Sequence, residues 1–184
     1  MLPFQVNDSI ELKLIQSQDR DELYALIDKN RAVLREWLLW VDRRQSPDDL
    51  DAVIQVWSRN YEERNGFDAG VWFNKTLVGM LGLHYIDWKN KATSIGYFLS
   101  ESAQGKGIIT TSIEKLIPYL FNDLKLNRII IQCAESNIKS RAIPEKIGFI
   151  SEGTSRQAQW LYDHYENIVT YSLLSSDWQE GISR

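Results

Sequence analysis

The chain has 184 residues, 43% of them hydrophobic and 25% charged, which is enough for a buried core and argues against global disorder. The net charge is −4 and no Lys/Arg cluster exceeds a short pair such as Arg43-Arg44, so a face built for nucleic acid is not expected. The lone Cys133 excludes an internal disulfide and a cysteine-based zinc site, and His84 and His164 are too few for a metal cluster. From the first residues, MLPFQVNDSIELKL, no secretory signal is expected, and no stretch is apolar enough to predict a membrane span. A reduced, cytoplasmic compartment is expected, with no membrane partner.

Residues 9–15 alternate and predict a strand. Ser17–Asp19 supply helix-start chemistry, and Leu23, Leu26 and Ile27 follow at helical spacing. A second helical run holds Val33, Leu34, Trp37, Leu38 and Val41. Ser46-Pro47-Asp48-Asp49 reads as an N-cap with proline at the first position, opening a helix that ends near Asn65-Gly66. Strands are predicted at 67–73, 76–84 and 92–99, with turns at Asn74-Lys75 and Asp87–Lys91. A loop, 100–107, leads into a helix through Leu124. A short apolar strand follows at 128–134, suited to burial on both faces, then a helix at 137–147 closed by Gly148. Strands near 149–152, 156–161 and 165–174 finish the chain. This order predicts a single domain over 1–184 of the α+β (mixed α/β) class. Its sheet is mainly antiparallel and flanked by helices, with a central β-α-β crossover.

Two segments point to chemistry. Gln104-Gly105-Lys106-Gly107-Ile108-Ile109-Thr110 follows a strand and opens a helix. Its glycines remove Cβ atoms where an anion would approach the unpartnered N–H groups of the first helical turn. It is not a Walker A loop, because Lys106 is followed by Gly107, and it lacks the third glycine of a Rossmann fingerprint. On spacing alone a plain flexible turn is an equal reading. The second segment is Asn137-Ile138-Lys139-Ser140, followed by Glu145-Lys146-Ile147-Gly148-Phe149. Asn137 reads as a helix N-cap and Ser140 as a residue of the same first turn.

Together these residues resemble the GCN5-related N-acetyltransferase (GNAT) superfamily. The family loop is Gln/Arg-x-x-Gly-x-Gly/Ala; Gln104 and Gly107 match it, and Ile109 departs at the last position. The later block Asn-x-x-Ser, then Glu-Lys-x-Gly-Phe, matches 137–140 and 145–149. Further matches, in order, include Gly79-Met80, Leu83-His84, Ile95-Gly96-Tyr97, Leu126-Asn127-Arg128 and Pro144-Glu145. They are closest to the RimJ/RimL branch of ribosomal-protein N-acetyltransferases. The resemblance implies a GNAT-type twisted sheet and acetyl-CoA as co-substrate, with no metal. The pyrophosphate would lie on the amides of 105–110, the pantetheine along the strand through Tyr97 and Leu99, and Asn137 and Ser140 near the sulfur.

Members of this branch often carry a Glu just before Ile-Gly-Tyr; here that place is Ser94. A second carboxylate found in some relatives appears as Gln159. Remaining candidates for proton transfer are Glu135, which can equally complement the helix dipole, the turn residues Asp163 and His164, and His84. Cys133 reads as core rather than nucleophile, since direct transfer needs no acyl-enzyme. Trp37 and Trp40, three apart on a predicted helix, and Trp160 could wall the acceptor cleft or simply pack. A missing strong base favours an α-amine acceptor. Near pH 7.5 about a third of α-amines are neutral but only about one lysine in a thousand, a gap of about 3.5 kcal/mol. The expected reaction is direct acetyl transfer to a protein N-terminus. The alternatives are a small-amine acetyltransferase and a non-catalytic acetyl-CoA-binding module. A homo-oligomer built from dimers is expected.

Overall fold

The structure, a computed structural model, describes residues 2–182, with side chains described through Trp178. The fold is mixed α/β, with a mostly antiparallel sheet flanked by helices. The strands are β1 (Phe4–Gln5), β2 (Ile10–Leu14), β3 (Phe67–Phe73), β4 (Thr76–Asp87), β5 (Ala92–Leu99), β6 (Arg128–Ala134), β7 (Ile150–Leu161) and β8 (His164–Leu174). The helices are α1 (Arg20–Lys29), α2 (Arg31–Arg35), α3 (Asp51–Glu62), α4 (Ile108–Pro118), α5 (Ile138–Ile147) and α6 (Ser175–Ile182). Among the described residues the strand order is β1-β2-β3-β4-β5-β6-β8-β7. No described helix is long and apolar enough to cross a membrane.

The chain forms two compact units. The first runs up to Leu83 and takes in Tyr97–Ile108; the second holds His84–Gly96 and everything from Ile109. In the first unit β1, β2, β3 and β4 pair antiparallel in sequence order. Asn74 and Lys75 turn the chain between β3 and β4 with φ of 49° and 67°, the left-handed pair of a tight hairpin. Leu23, Ile27, Leu50 and Ile54 bury their side chains against Ile15, Trp72 and Met80 of the sheet. Each such side chain contributes about 1.5–3 kcal/mol of hydrophobic stabilisation. Asp49 accepts from the backbone N–H of Ser46 at 2.9 Å, so the predicted cap at Ser46 closes a capping box ahead of α3.

In the second unit β5 pairs parallel with β6 over Ala92–Ser94, and the crossover between them is α4. β8 lies antiparallel to both β6 and β7.

Four expectations need correction. The second helical run breaks: α2 stops at Arg35, and Leu39–Arg43 is a separate 3-10 turn, so Trp37 and Trp40 do not share a helix face. β4 continues to Asp87, which puts His84 inside the strand rather than at its end. β6 alternates in burial instead of being covered on both faces. The two strands predicted at 149–152 and 156–161 are one, β7, because irregular register at Ser151/Gly153 and Ser155/Gln159 absorbs the residues read as a break.

Candidate active site

The glycine loop grows out of the end of β5 in the first unit. Ser100 donates its N–H to the Val78 carbonyl at 2.7 Å, and Glu101 donates its N–H to Asn30 Oδ1 at 3.0 Å. Asn30, buried at the end of α1, also donates its side-chain amide to the Leu26 carbonyl at 2.8 Å. A buried amide thus holds the loop's entry. Gly105 and Gly107 both sit at φ +74°, and nothing lies within 4 Å of where a Cβ would stand on either. Residues 105–107 are exposed, whereas Ile108, Ile109 and Thr110 are buried. The exposed part of the loop that a ligand can reach is therefore 105–107, just ahead of α4. Lys106 sets its Nζ 5.7 Å from the Phe73 ring centre. An exposed, Cβ-free bend ending on a helix start suits a pyrophosphate.

Also in the first unit, Gly79 lets β4 approach β5 closely: a Cβ there would stand 2.1 Å from the Phe98 carbonyl oxygen. Leu99 and Tyr97 are half-buried at this end of β5, and the β5–β6 register has ended at Ser94. Trp40 packs on Phe98 with ring centres 5.7 Å apart. Sequence reasoning missed Asp68 on β3. Its carboxylate is pushed up to about 6 by burial, and Oδ1 lies 2.6 Å from where Gly82 would carry a Cβ. The available signal was one acid inside the apolar run Phe-Asp-Ala-Gly-Val-Trp-Phe.

The second unit brings together Cys133, Asn137 and Ser140. Asn137 caps α5, its Oδ1 accepting the Ser140 N–H at 3.1 Å. Ser140 Oγ lies 3.2 Å from the Sγ of buried Cys133. The neighbouring residue, Arg141, donates Nε to the Tyr171 hydroxyl at 3.0 Å and Nη1 to the Glu135 carbonyl at 2.9 Å. The same hydroxyl donates to Glu145 at 2.6 Å. Through Arg141 the first turn of α5 is tied to β8 and to Glu135 just past β6.

The other sequence candidates are placed differently. The exposed Glu135 carboxylate accepts from Asn167 Nδ2 at 2.7 Å. His164 pairs with Asp163 at 2.8 Å, which raises the imidazole and lowers the carboxylate. The Nε2 of His84 lies 2.1 Å from where Gly96 would carry a Cβ, and partial burial lowers its pKa. Trp160 is exposed and meets Tyr165 edge-on at 4.7 Å; Gln159 beside it is half-buried. Among the described residues no group of three or more His, Cys, Asp or Glu is placed to hold a metal.

A family model described as the acetyltransferase (GNAT) domain matches residues 9–150. The chain is 38% identical over 180 residues to YdaF of Bacillus subtilis strain 168, provisionally named a ribosomal N-acetyltransferase, covering 97% of this chain and 98% of that protein. It is 31% identical over 168 residues to the ribosomal-protein-serine acetyltransferase of Escherichia coli K12, covering 91% and 94%. A solved structure of RimL, the ribosomal L7/L12 α-N-protein acetyltransferase, matches with a TM-score of 0.90 at 26% identity, over 94% of this chain and 98% of that one. That structure holds coenzyme A in a disulfide with a cysteine.

Proposed function

Because the chain belongs to the GNAT acetyltransferase family and is an acetyl-CoA-dependent N-acetyltransferase, we propose that its acceptor is the N-terminal α-amine of a protein, ribosomal proteins first among them. The observation that carries the co-substrate's placement is the pair of left-handed, exposed glycines, Gly105 and Gly107, at the start of α4. Their amides take the pyrophosphate, and β5 from Tyr97 to Leu99 takes the pantetheine along its backbone. Asn137 fixes the turn that carries Ser140, whose hydroxyl supplies the proton to the departing thiolate. The amine attacks the thioester directly, without an acyl-enzyme, and buried Cys133 stays out of the reaction. Trp40 on Phe98 supplies an apolar wall to the acceptor side.

The acceptor reading is supported by the ribosomal-protein acetyltransferases among the relatives and by Ser94 and Gln159 standing where the branch places carboxylates. An α-amine asks about 3.5 kcal/mol less of a base than a lysine does near pH 7.5. The test is competition between a lysine-free peptide with a free N-terminus and an N-blocked peptide with one lysine, read as thiol release from acetyl-CoA. Faster acetylation of the lysine peptide would overturn the reading. The enzyme works in the cytoplasm as a dimer-based homo-oligomer; light scattering giving about one chain mass at micromolar concentration would refute the assembly.

A further inference from the structure

Asn167 of β8 joins three segments of the second unit. The register pairs Ile168 with Ser155 and Glu166 with Gln159, so Asn167 alone faces residues 156–158 of β7. Gln157, in the middle of that bulge, has φ of +50°, and its N–H donates to Asn167 Oδ1 at 2.8 Å. The side-chain oxygen stands in for the ladder partner that the bulge removes. A backbone N–H can only donate, so Oδ1 must face Gln157 and the side-chain NH2 must face Glu135. That NH2 donates to Glu135 Oε2 at 2.7 Å, and the Asn167 carbonyl accepts the Glu135 N–H at 2.8 Å. From α5, Arg141 donates Nη1 to the Glu135 carbonyl at 2.9 Å. The N–H, carbonyl and carboxylate of Glu135 are thus all engaged. Ser136 follows, its hydroxyl donating to Glu166 at 2.8 Å, and then Asn137, which caps the turn that carries Ser140.

We propose that Asn167 is a positioning residue for acetyl transfer: it holds Glu135, and through Glu135 the turn from β6 into α5 that presents the Ser140 hydroxyl. This rests on the reading of Ser140 as the proton donor to the departing thiolate. Glu135 is a link in the same chain rather than a carrier of protons. The turn has little of its own to hold it. Its backbone bonds are the Asn137 N–H on the Ala134 carbonyl at 3.0 Å and the Ile138 N–H on the Ser136 carbonyl at 2.9 Å. A segment this short follows whatever anchors its first residue. Displacement of a reacting group by about 1 Å can cost about a hundredfold in rate. Asparagine is the residue type the place requires, because it must accept on one side and donate on the other. Aspartate would set a second carboxylate against Glu135, and alanine would drop both bonds. Glu135 is exposed and Asn167 half-buried, so water can replace the lost partners and the fold should survive either change.

The experiment is a double-mutant cycle of Asn167→Ala and Ser140→Ala. It is read as thiol release from acetyl-CoA with the faster of the lysine-free and N-blocked lysine peptides, and calorimetry gives acetyl-CoA affinity. Asn167→Ala should lower kcat about tenfold and leave acetyl-CoA affinity within about threefold. In the Ser140→Ala background the same substitution should change kcat by less than about twofold, because the group it places is gone. Asn167→Asp should lower kcat at least as far as Asn167→Ala. Glu135→Gln/Asn167→Asp should recover kcat to within about threefold of wild type, since the glutamine amide can donate to the aspartate. Should Asn167→Ala fail to fold, the cycle is run with Asn167→Asp, of nearly equal shape. An unchanged kcat in Asn167→Ala beside an impaired Ser140→Ala would overturn this proposal alone. An unchanged kcat in Ser140→Ala would overturn the Ser140 reading and this proposal with it. An equal loss from Asn167→Ala in both backgrounds would show an effect that does not pass through Ser140 and overturn it. A Glu135→Gln/Asn167→Asp protein as impaired as Asn167→Asp would overturn the link through Glu135 and the proposal built on it.

Discussion

The hydroxyl of Ser140 stands 3.2 Å from the thiol of Cys133, and the serine's own N–H is held at 3.1 Å by the side chain of Asn137. A buried strand residue and a helix cap thus fix the same serine from two sides. Ser140→Ala should lower kcat by about a hundredfold, the low end of acid–base contributions, and change acetyl-CoA affinity by less than about threefold. Steady-state kinetics at saturating peptide, with calorimetry on the same preparation, check both halves. An unchanged kcat would remove Ser140 from the reaction.

Cys133 gives the complementary outcome. Direct transfer uses no covalent intermediate, so Cys133→Ala should keep kcat within about threefold while costing about 1–2 kcal/mol of stability for the lost packing. Urea denaturation and turnover measured side by side test this. Loss of turnover without loss of stability would bring the thiol into the mechanism.

The Arg141–Tyr171–Glu145 network explains how the α5 turn keeps its place. Tyr171 is 2% exposed, so its hydroxyl cannot exchange these partners freely for water. Tyr171→Phe should cost about 1–3 kcal/mol, because two hydrogen-bonding groups lose a buried partner. It should lower kcat severalfold through displacement of Ser140, leaving acetyl-CoA affinity unchanged. Equal kcat at lower stability would show that the network serves folding alone.

The glycine loop and the Asn137 cap were legible in the sequence because their chemistry is local. A cap needs an Asn at one position, and a bend at positive φ needs glycine. The β5–α4–β6 crossover was legible because a strand, a helix and an apolar strand in succession leave few topologies. Trp37 and Trp40 were misplaced because helical spacing does not reveal that the chain leaves α2 at Arg35 and turns again at Leu39. Asp68 was missed for a different reason. Its raised pKa depends on Gly82, fourteen residues later, leaving room for the carboxylate on the next strand. That is not a property of spacing along the chain.

Gly107→Val tests the loop. At φ +74° a β-branched side chain is strained by about 1–2 kcal/mol. Nothing in the protein lies within 4 Å of the added Cβ, so the chain should still fold. The new branch instead occupies the exposed bend beside the proposed pyrophosphate. Acetyl-CoA affinity should fall more than about tenfold in calorimetry, with circular dichroism unchanged. Wild-type affinity in folded Gly107→Val would move the pyrophosphate elsewhere.

Asp68 gives a prediction about stability. Its pKa is about 6 in the folded protein against an ordinary 3.8. Between those values the folded chain holds a proton that the unfolded chain has released. The group's contribution to stability is therefore fully present below the unfolded value and is lost as pH rises through the folded one. At roughly 1.36 kcal/mol per unit, the loss between pH 4 and pH 8 is about 3 kcal/mol. Asparagine does not ionise, so the difference in unfolding free energy, Asp68→Asn minus wild type, should grow by about 3 kcal/mol over that interval, whatever its value at pH 4. Urea titrations of both proteins at pH 4, 6 and 8 measure it. A difference constant across the three pH values would mean that Asp68 carries no raised pKa.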